Sequence, residues 1–366
     1  MKIHKINRAV IRTPFLIFFA ILFLLSSACA EFTVSENLPT PHAVTVLHTA
    51  TAQVTKTPSP TATGTPVPTV TATPTQTPTQ TPVPFEALTI VSLRERMYGG
   101  GVIEDLGSLN GNGTFKRRLF KYRSEGLSLY GFINIPAGAG PFPVIVMLHG
   151  YVEPAEYTTI AYSARYADAL AEEGFLVVHP NLRGYSPSQD GPNQLGVGDT
   201  IDTLNLISLI RSQAGSPGIL QKADADQLGI WGHSMGGGIV MRSILVDDDI
   251  AAALLYAPIH TNEEFNLAHF EKDGRGREKL NISASSLSLI SPFSFLDQID
   301  VPISVHHGTD DQVVPAFWSE ELCGLLEGMG KEVECRLYDG YQHTFKDDGD
   351  AVFMDAMISF FKESLD

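Results

Sequence analysis

The sequence lacks the features that mark nucleic-acid-binding and metal-dependent proteins. Basic residues are in the minority, with 25 Lys and Arg against 41 Asp and Glu and a formal net charge of −16. A surface of that sign repels polyphosphate chains, which disfavours nucleic acid as a partner. The chain also contains no H-E-x-x-H motif or comparable ligand cluster. We therefore expect no metal and no cofactor.

The N-terminal apolar run, Phe15–Leu25, is too short for a membrane-spanning helix. Such a helix needs about 20 apolar residues to cross the hydrocarbon core. Basic residues precede the run and small residues follow it, which is the pattern of a secretory signal peptide. We predict a signal peptide over residues 1–28 and a mature protein outside the cytoplasm.

The end of this segment fits two cleavage patterns. Ser26-Ser27-Ala28 directly before Cys29 resembles a lipobox, in which Cys29 carries lipid and becomes the first residue. Ala28-Cys29-Ala30 also fits ordinary cleavage before Glu31. We favour the lipoprotein over the secreted protein. The membrane is then a partner only through a lipid anchor on Cys29.

The segment from Pro39 to Pro84 is mainly Thr and Pro, and Lys56 is its only charged residue. Such a composition buries too little apolar surface to offset the entropy lost on ordering. We therefore predict that residues 29–84 form a disordered linker and that residues 85–366 form one catalytic domain.

Only three cysteines are present, and Cys29 belongs to the export region. The other two, Cys323 and Cys335, lie on a predicted helix and on the strand after it. In an oxidising compartment they either form a disulfide or remain two buried thiols.

Beyond Phe85, short apolar runs alternate with longer amphipathic stretches, a pattern typical of helices that cover a mostly parallel sheet. We predict an α/β fold, doubly wound, with about eight strands and helices on both faces. The predicted strands are 119–122, 129–135, 144–148, 175–178, 228–232, 252–256, 303–306 and 333–338, and the main predicted helices are 162–173, 199–211 and 351–365.

The motif Gly232-His233-Ser234-Met235-Gly236 follows a predicted strand and opens a glycine-rich helix. In this context G-x-S-x-G is typical of a sharp turn that exposes a nucleophilic serine. We predict Ser234 as the nucleophile and the N–H of Met235 as one donor of the oxyanion hole. The second expected donor is the N–H of Tyr151, in the loop that begins with His149-Gly150.

A serine nucleophile requires a base, and the base requires a carboxylate that orients it. Of the eleven histidines, His343 lies in the loop after the last predicted strand, where this fold carries its base. The acid is expected after the preceding strand, where Asp310 and Asp311 are adjacent. Their spacing from His307-Gly308 and Val314-Pro315 favours Asp311.

These motifs, together with Pro143–Gly150, Asn181–Gly184 and Val301–Pro315, carry a family resemblance. The stretch from about Phe120 to Leu365 resembles the catalytic domain of the prolyl oligopeptidase family, close to dienelactone-hydrolase-like and acyl-peptidase-like members of the α/β-hydrolase superfamily. The resemblance implies hydrolysis of a small-molecule ester or a short peptide through an acyl-enzyme.

One departure from the family pattern bears on the substrate. Members that cleave peptides usually carry a large N-terminal propeller, and here a linker and about 35 residues occupy that position. We therefore favour a carboxylesterase, with a serine-type peptidase as the alternative.

Specificity is expected in the insertion Ile259–Asp300 and around Tyr151–Tyr157. Within the insertion, Leu287–Leu296 either forms a pocket wall or packs on the core. Glu153 and Glu156 are either solvated surface charges, which we favour, or attract a substrate amine.

Overall fold

The structure is a computed structural model that describes residues 84–270 and 282–365. The predicted signal peptide, the predicted lipidation site at Cys29 and the predicted linker up to residue 83 lie outside the described residues. Within the described ranges, no helix has the length and apolar character needed to cross a membrane.

The described chain forms a sheet of nine strands. In chain order they are β1 Glu104–Leu109, β2 Phe115–Ser124, β3 Leu127–Pro136, β4 Phe142–Leu148, β5 Leu176–Pro180, β6 Ala223–His233, β7 Ala252–Tyr256, β8 Ile303–Gly308 and β9 Val333–Tyr338. Their spatial order is β1-β2-β3-β5-β4-β6-β7-β8-β9. The first three strands pair antiparallel, β3 pairs antiparallel with β5, and every pair from β5 to β9 is parallel.

The predicted α/β architecture is confirmed, with one strand more than the expected eight. The additional strand is β1, which lies at the edge of the sheet and pairs with β2 alone. Its residues are mostly exposed and none is buried. A strand without a buried face has no apolar alternation, so the sequence carried no pattern that would predict it.

Eight α-helices accompany the sheet in the described ranges. They are α1 Ile90–Arg94, α2 Ala164–Glu172, α3 Val197–Gln213, α4 Met235–Val246, α5 Glu263–Phe270, α6 Ala284–Leu287, α7 Phe317–Gly328 and α8 Asp347–Ser364. Most of the buried apolar residues of α3, α4 and α7 form one cluster with the sheet, and those of α2 and α8 form another. The sheet is therefore covered on both faces.

Strand β6 shows how the sequence produces the two layers. Leu228 and Ile230 belong to the first cluster and Trp231 to the second, because successive strand residues point to opposite faces. All three side chains are fully buried. A continuous apolar run is typical of a parallel strand that is covered on both sides.

The structure joins Cys323 of α7 to Cys335 of β9 by a disulfide, with the two Cα atoms 6.3 Å apart. Of the two alternatives left by the sequence, the structure contains the disulfide. Both cysteines also contact the first apolar cluster, Cys323 as a buried member and Cys335 at its edge.

Candidate active site

Ser234 lies in the turn that joins β6 to α4. Its φ of 54° and ψ of −116° lie outside the regions that non-glycine residues normally occupy. The flanking glycines permit this turn, since a Cβ at Gly232 would collide with the main chain of Gly236, and one at Gly236 with that of Leu148. The N–H of Ser234 donates to the carbonyl of Tyr256 at 2.9 Å. Ser234 is therefore fixed at the carboxyl ends of β6 and β7.

The predicted acid and base lie against each other. Asp311 follows β8 and His343 follows β9, and the carboxyl ends of these neighbouring parallel strands meet at one edge of the sheet. His343 Nδ1 lies 2.6 Å from Asp311 Oδ2. The adjacent Asp310 is exposed, and its N–H donates to the carbonyl of Tyr341. Of the two aspartates, the structure therefore brings Asp311 to His343.

The carboxylate of Asp311 is surrounded by hydrogen-bond donors. Oδ1 accepts the main-chain N–H groups of Val313 at 2.7 Å and Val314 at 2.9 Å. Oδ2 is shared by His343 and by His307, whose Nε2 lies 2.9 Å away. Burial raises the pKa of Asp311, but the hydrogen bonds from His307 and His343 outweigh burial and hold this pKa below its ordinary value. Asp311 is therefore ionised at neutral pH.

His343 is held beside the serine turn by the residue that precedes Ser234. His233 Nε2 lies 2.9 Å from the carbonyl oxygen of His343, and the two imidazole rings are 4.6 Å apart. A carbonyl only accepts, so Nε2 carries the hydrogen, and in the neutral ring Nδ1 accepts from the hydroxyl of Tyr162. Burial and the neighbouring His343 lower the pKa of His233, which keeps the ring neutral.

The predicted oxyanion-hole residues flank Ser234 from two sides. Met235 is the first residue of α4, where main-chain N–H groups have no partner within the helix. Gly150 lies against the serine, because a Cβ built on it would be 3.0 Å from the Cβ of Ser234. Tyr151 follows directly, and its half-exposed side chain donates from its hydroxyl to Glu153 Oε2 at 2.9 Å. The loop from Gly150 to Tyr151 thus adjoins the serine turn.

His149 shapes this loop from inside. Its ring is fully buried, its Nδ1 donates to the carbonyl of Gly150 at 2.8 Å, and its Nε2 accepts from the N–H of Leu182 at 3.3 Å. Burial lowers the pKa of His149 to about 4, so the ring is neutral at pH 7. These contacts are those of a residue that fixes the main chain.

Aromatic side chains cover the part of the insertion that is close to the acid loop, residues 309–314. His260 stacks on Phe265 with ring centroids 4.6 Å apart and meets Trp318 edge-on at 5.1 Å. Phe265 is 51% exposed and the neighbouring Phe293 is 37% exposed. His269 of α5 donates from Nε2 to the acid loop, at the carbonyl of residue 313, over 2.9 Å. This aromatic surface, formed by His260, Phe265 and Phe293, is therefore connected through α5 to the loop that carries Asp311.

The segment Leu287–Leu296, predicted either to form a pocket wall or to pack on the core, has both buried and exposed apolar side chains. Leu287, Ile290 and Leu296 are buried in the core, whereas Leu289 and Phe293 are exposed. Residues 271–281 of the insertion lie outside the described ranges. Within residues 84–270 and 282–365, no group of three or more His, Cys, Asp and Glu side chains is arranged to hold a metal ion.

A comparison with protein-family models matches residues 129–363 to the model described as the dienelactone hydrolase family. The chain belongs to the dienelactone hydrolase family. The match covers the sheet from within β3 onward and includes Ser234, Asp311 and His343. The predicted family resemblance is thereby confirmed, and the described domain is a hydrolase domain of this family.

The relatives of this dienelactone hydrolase family member include an esterase and, from Bacillus subtilis (strain 168), the uncharacterized peptidase YuxL, which is 23% identical over 237 residues, 62% of this chain and 35% of that protein. Protein ABHD12B from Homo sapiens is 23% identical over 203 residues, which are 52% of this chain and 52% of the human protein. Esterase YjfP from Escherichia coli (strain K12) is 25% identical over 238 residues, 62% of this chain and 90% of that esterase. The chain thus spans about half the length of the human relative.

Solved structures show the same fold. The acylaminoacyl peptidase of Pyrococcus horikoshii superposes with a TM-score of 0.57 and 21% identity, over 69% of this chain and 42% of the peptidase. An acetyl xylan esterase from Paenibacillus sp. R4 gives a TM-score of 0.57 and 17% identity, over 75% of this chain and 92% of the esterase.

Three residues around the site of this dienelactone hydrolase family domain were not singled out from the sequence. They are Tyr162, His233 and His307. His233 is the variable position of the G-x-S-x-G motif, and His307 precedes Asp311 by four residues at the end of a predicted strand, which is a weak signal. Nothing in the sequence marks Tyr162, whose φ of 57° is unusual for a large side chain.

Proposed function

We propose that this protein is an exported serine hydrolase that cleaves carboxylic esters of small acyl substrates. Ser234 is the nucleophile, His343 the general base and Asp311 the residue that orients the base. The observation that supports this proposal is the 2.6 Å contact between Asp311 Oδ2 and His343 Nδ1, in a loop that His233 holds beside Ser234. Family membership supports the same reaction class.

The proposed reaction begins with proton transfer. With Nδ1–H donated to the ionised Asp311, His343 presents an unprotonated Nε2 that takes the proton of Ser234 Oγ as this oxygen attacks the ester carbonyl. The negative charge that develops on the carbonyl oxygen is stabilised by the N–H groups of Met235 and Tyr151. Each such donor typically contributes about 3 kcal/mol to the transition state.

The tetrahedral intermediate then collapses to the acyl-enzyme. His343 returns its proton to the leaving alkoxide, and the alcohol departs. A water molecule then takes the place of the serine: His343 removes a proton from the water, and the resulting hydroxide attacks the acyl carbon. The acid product is released as His343 returns this proton to Ser234 Oγ. Asp311 remains ionised throughout, because the hydrogen-bond donors around it stabilise its negative charge.

The aromatic surface of the insertion supports an acyl group with an apolar or aryl end. Phe265 and Phe293 are large, exposed and close to the acid loop through His269. Exposed aromatic side chains beside catalytic groups commonly line the substrate pocket. Glu153 accepts a hydrogen bond from the hydroxyl of Tyr151, and we do not propose that it binds a substrate amine.

The test is a substrate panel with the full mature chain and the variant Ser234→Ala. We expect turnover of short-chain and aryl p-nitrophenyl esters, a loss of at least roughly 10⁴-fold in kcat in the variant, and labelling by a fluorophosphonate only when Ser234 is present. Faster turnover of aminoacyl or dipeptidyl anilides than of any ester would favour the peptidase activity over the esterase activity. An unlabelled wild-type protein would refute the serine mechanism.

A further inference from the structure

His307 lies one residue before the end of β8, and its side chain is fully buried. Both ring nitrogens have partners. Nε2 is 2.9 Å from Asp311 Oδ2 and 3.1 Å from the carbonyl oxygen of Val314, and Nδ1 is 2.7 Å from the hydroxyl of Ser319 on α7. The ring is thus held between the acid loop and the helix that follows it.

These contacts determine which ring nitrogen donates. A carboxylate oxygen and a carbonyl oxygen only accept, so the hydrogen must be on Nε2. Nδ1 is the nitrogen in contact with the hydroxyl of Ser319, which is itself buried. The donation at Nε2 runs from His307 to Asp311. A buried donor in this position fixes the carboxylate more firmly than one in water, since nothing else there can replace it.

The donation from His307 adds to that from His343 at the same oxygen. Oδ2 lies between the two imidazoles, and Oδ1 is held by the two main-chain N–H groups of the acid loop. With donors at both oxygens, rotation of the carboxylate about its own axis would break at least two bonds. The hydrogen bond from His307 also withdraws part of the negative charge that faces His343.

We propose that His307 is a positioning residue of the active site, which aims Asp311 at His343 and limits the basicity of His343. This inference rests on the proposed triad, and it assigns a role to a residue outside it. Among the residues that the structure describes, the titratable groups in contact with His343 are Asp311 and His233, and His307 faces it across the carboxylate. His307 does not touch the reacting atoms.

The sheet supplies a matched control in the preceding residue. His306 is also fully buried, but it points to the other face, where its Nδ1 contacts the hydroxyl of Tyr338 at 2.8 Å and its Nε2 contacts Ser304 Oγ at 2.8 Å. Replacing either histidine removes a buried ring from β8. Of these two strand residues, only His307 contacts Asp311.

The experiment measures the pH dependence of kcat/KM for an ester in His307→Leu, His307→Gln and His306→Leu. Rates are expressed per active site, counted with a fluorophosphonate. In His307→Leu the carboxylate keeps more charge toward His343, so its protonated form is favoured and the acidic limb moves to higher pH by roughly 0.5 to 1 unit. We also expect kcat to fall by roughly 10- to 100-fold with KM little changed, because orientation is lost rather than binding.

His307→Gln retains a side-chain N–H, and we expect it to restore most of the limb position and of kcat. His306→Leu should reduce stability without moving the limb. An acidic limb and a kcat in His307→Leu that match those of the wild type would overturn the positioning role. If the wild-type chain is not labelled by the fluorophosphonate, the triad fails instead, so the two failures are distinguishable.

A second measurement avoids the need for a folded variant. In the wild-type chain with ¹⁵N-labelled histidine, NMR should report the Nε2–H form of His307, hydrogen-bonded and slow to exchange. An Nδ1–H form would leave Nε2 unable to donate to Asp311, and the proposal would be abandoned.

Discussion

Replacing Asp311 by asparagine changes the one group on which the proposed base depends. The amide can be oriented in two ways. With its NH₂ toward the N–H groups of Val313 and Val314, donors face donors, and the part-buried N–H of Val313 and the buried N–H of Val314 are left unsatisfied, at about 1–3 kcal/mol for the buried one. The opposite orientation keeps both of these bonds and sets the NH₂ against His307 and His343, whose rings, unlike a main-chain N–H, can move their hydrogen to the other nitrogen. The asparagine therefore turns its NH₂ toward His343.

That orientation inverts the tautomer of the base. An NH₂ group 2.6 Å from His343 Nδ1 requires Nδ1 to accept, so the hydrogen moves to Nε2, the nitrogen that faces Ser234. Such a ring cannot take the proton of the serine. We expect kcat of Asp311→Asn to fall by roughly 10⁴-fold, which corresponds to about 5 kcal/mol in the activation free energy, with little change in KM.

The adjacent aspartate is the control. Asp310 is exposed and makes its contacts through main-chain atoms, so Asp310→Asn should keep kcat within about twofold. Both variants are compared by steady-state hydrolysis of p-nitrophenyl acetate at pH 8, after the folded fraction has been checked by circular dichroism. A loss in Asp310→Asn with activity retained in Asp311→Asn would show that the acid has been assigned to the wrong residue.

Three further outcomes follow from the structure. Phe265→Ala removes the ring that stacks on His260. We expect kcat/KM for an aryl ester to fall by roughly 2- to 10-fold relative to that for an acetyl ester, which corresponds to the free energy of one aromatic pair. An unchanged ratio would exclude this surface from the substrate pocket. Burial lowers the pKa of His149 to about 4 and those of His179 and His306 to about 3, so the unfolded chain binds protons near pH 6.5 that the folded chain refuses. The free energy of unfolding should therefore decrease as the pH falls below 6.5, by at most about 2 kcal/mol per histidine at pH 5, and a urea midpoint that is constant over this range would contradict the argument. Cys29→Ser should release the expressed full chain from bacterial membranes and abolish its labelling by palmitate, and a soluble, unlabelled wild type would instead support cleavage before Glu31.

Much of the parallel part of the sheet could be predicted from the sequence, because its inner strands contain continuous apolar runs and edge strand β9 alternates apolar and charged residues. Strand β7 lies at the predicted residues 252–256, and β9 lies at the predicted residues 333–338. Strand β6 extends beyond the predicted 228–232 to Ala223–His233, since its first half is only partly buried and carries no apolar run. Edge strand β1 was missed for the same reason.

The residues of the site differ in how far the sequence could identify them. Ser234 lies within a local motif, and Asp311 and His343 follow strands whose order is set by the fold, so chain position, with motif spacing to choose Asp311 over Asp310, predicted them. The contacts of Tyr162 with His233, and of Ser319 with His307, join residues from separate elements. Such contacts depend on how a helix or loop packs on the sheet, which no local pattern specifies.

The disulfide between Cys323 and Cys335 affects the edge of the sheet that carries the acid and the base. An edge strand lacks a neighbour on one side and is generally the first part of a sheet to open. Strand β9 is such an edge, yet it is covalently attached to α7, whose first turn contains Ser319. Helix α7, which follows the loop of Asp311, and strand β9, which precedes the loop of His343, are thus joined by a bond that reductant can remove. Loss of that bond would loosen both partners of the proton transfer together, and leave in place the serine turn, which follows β6, three strands in from β9.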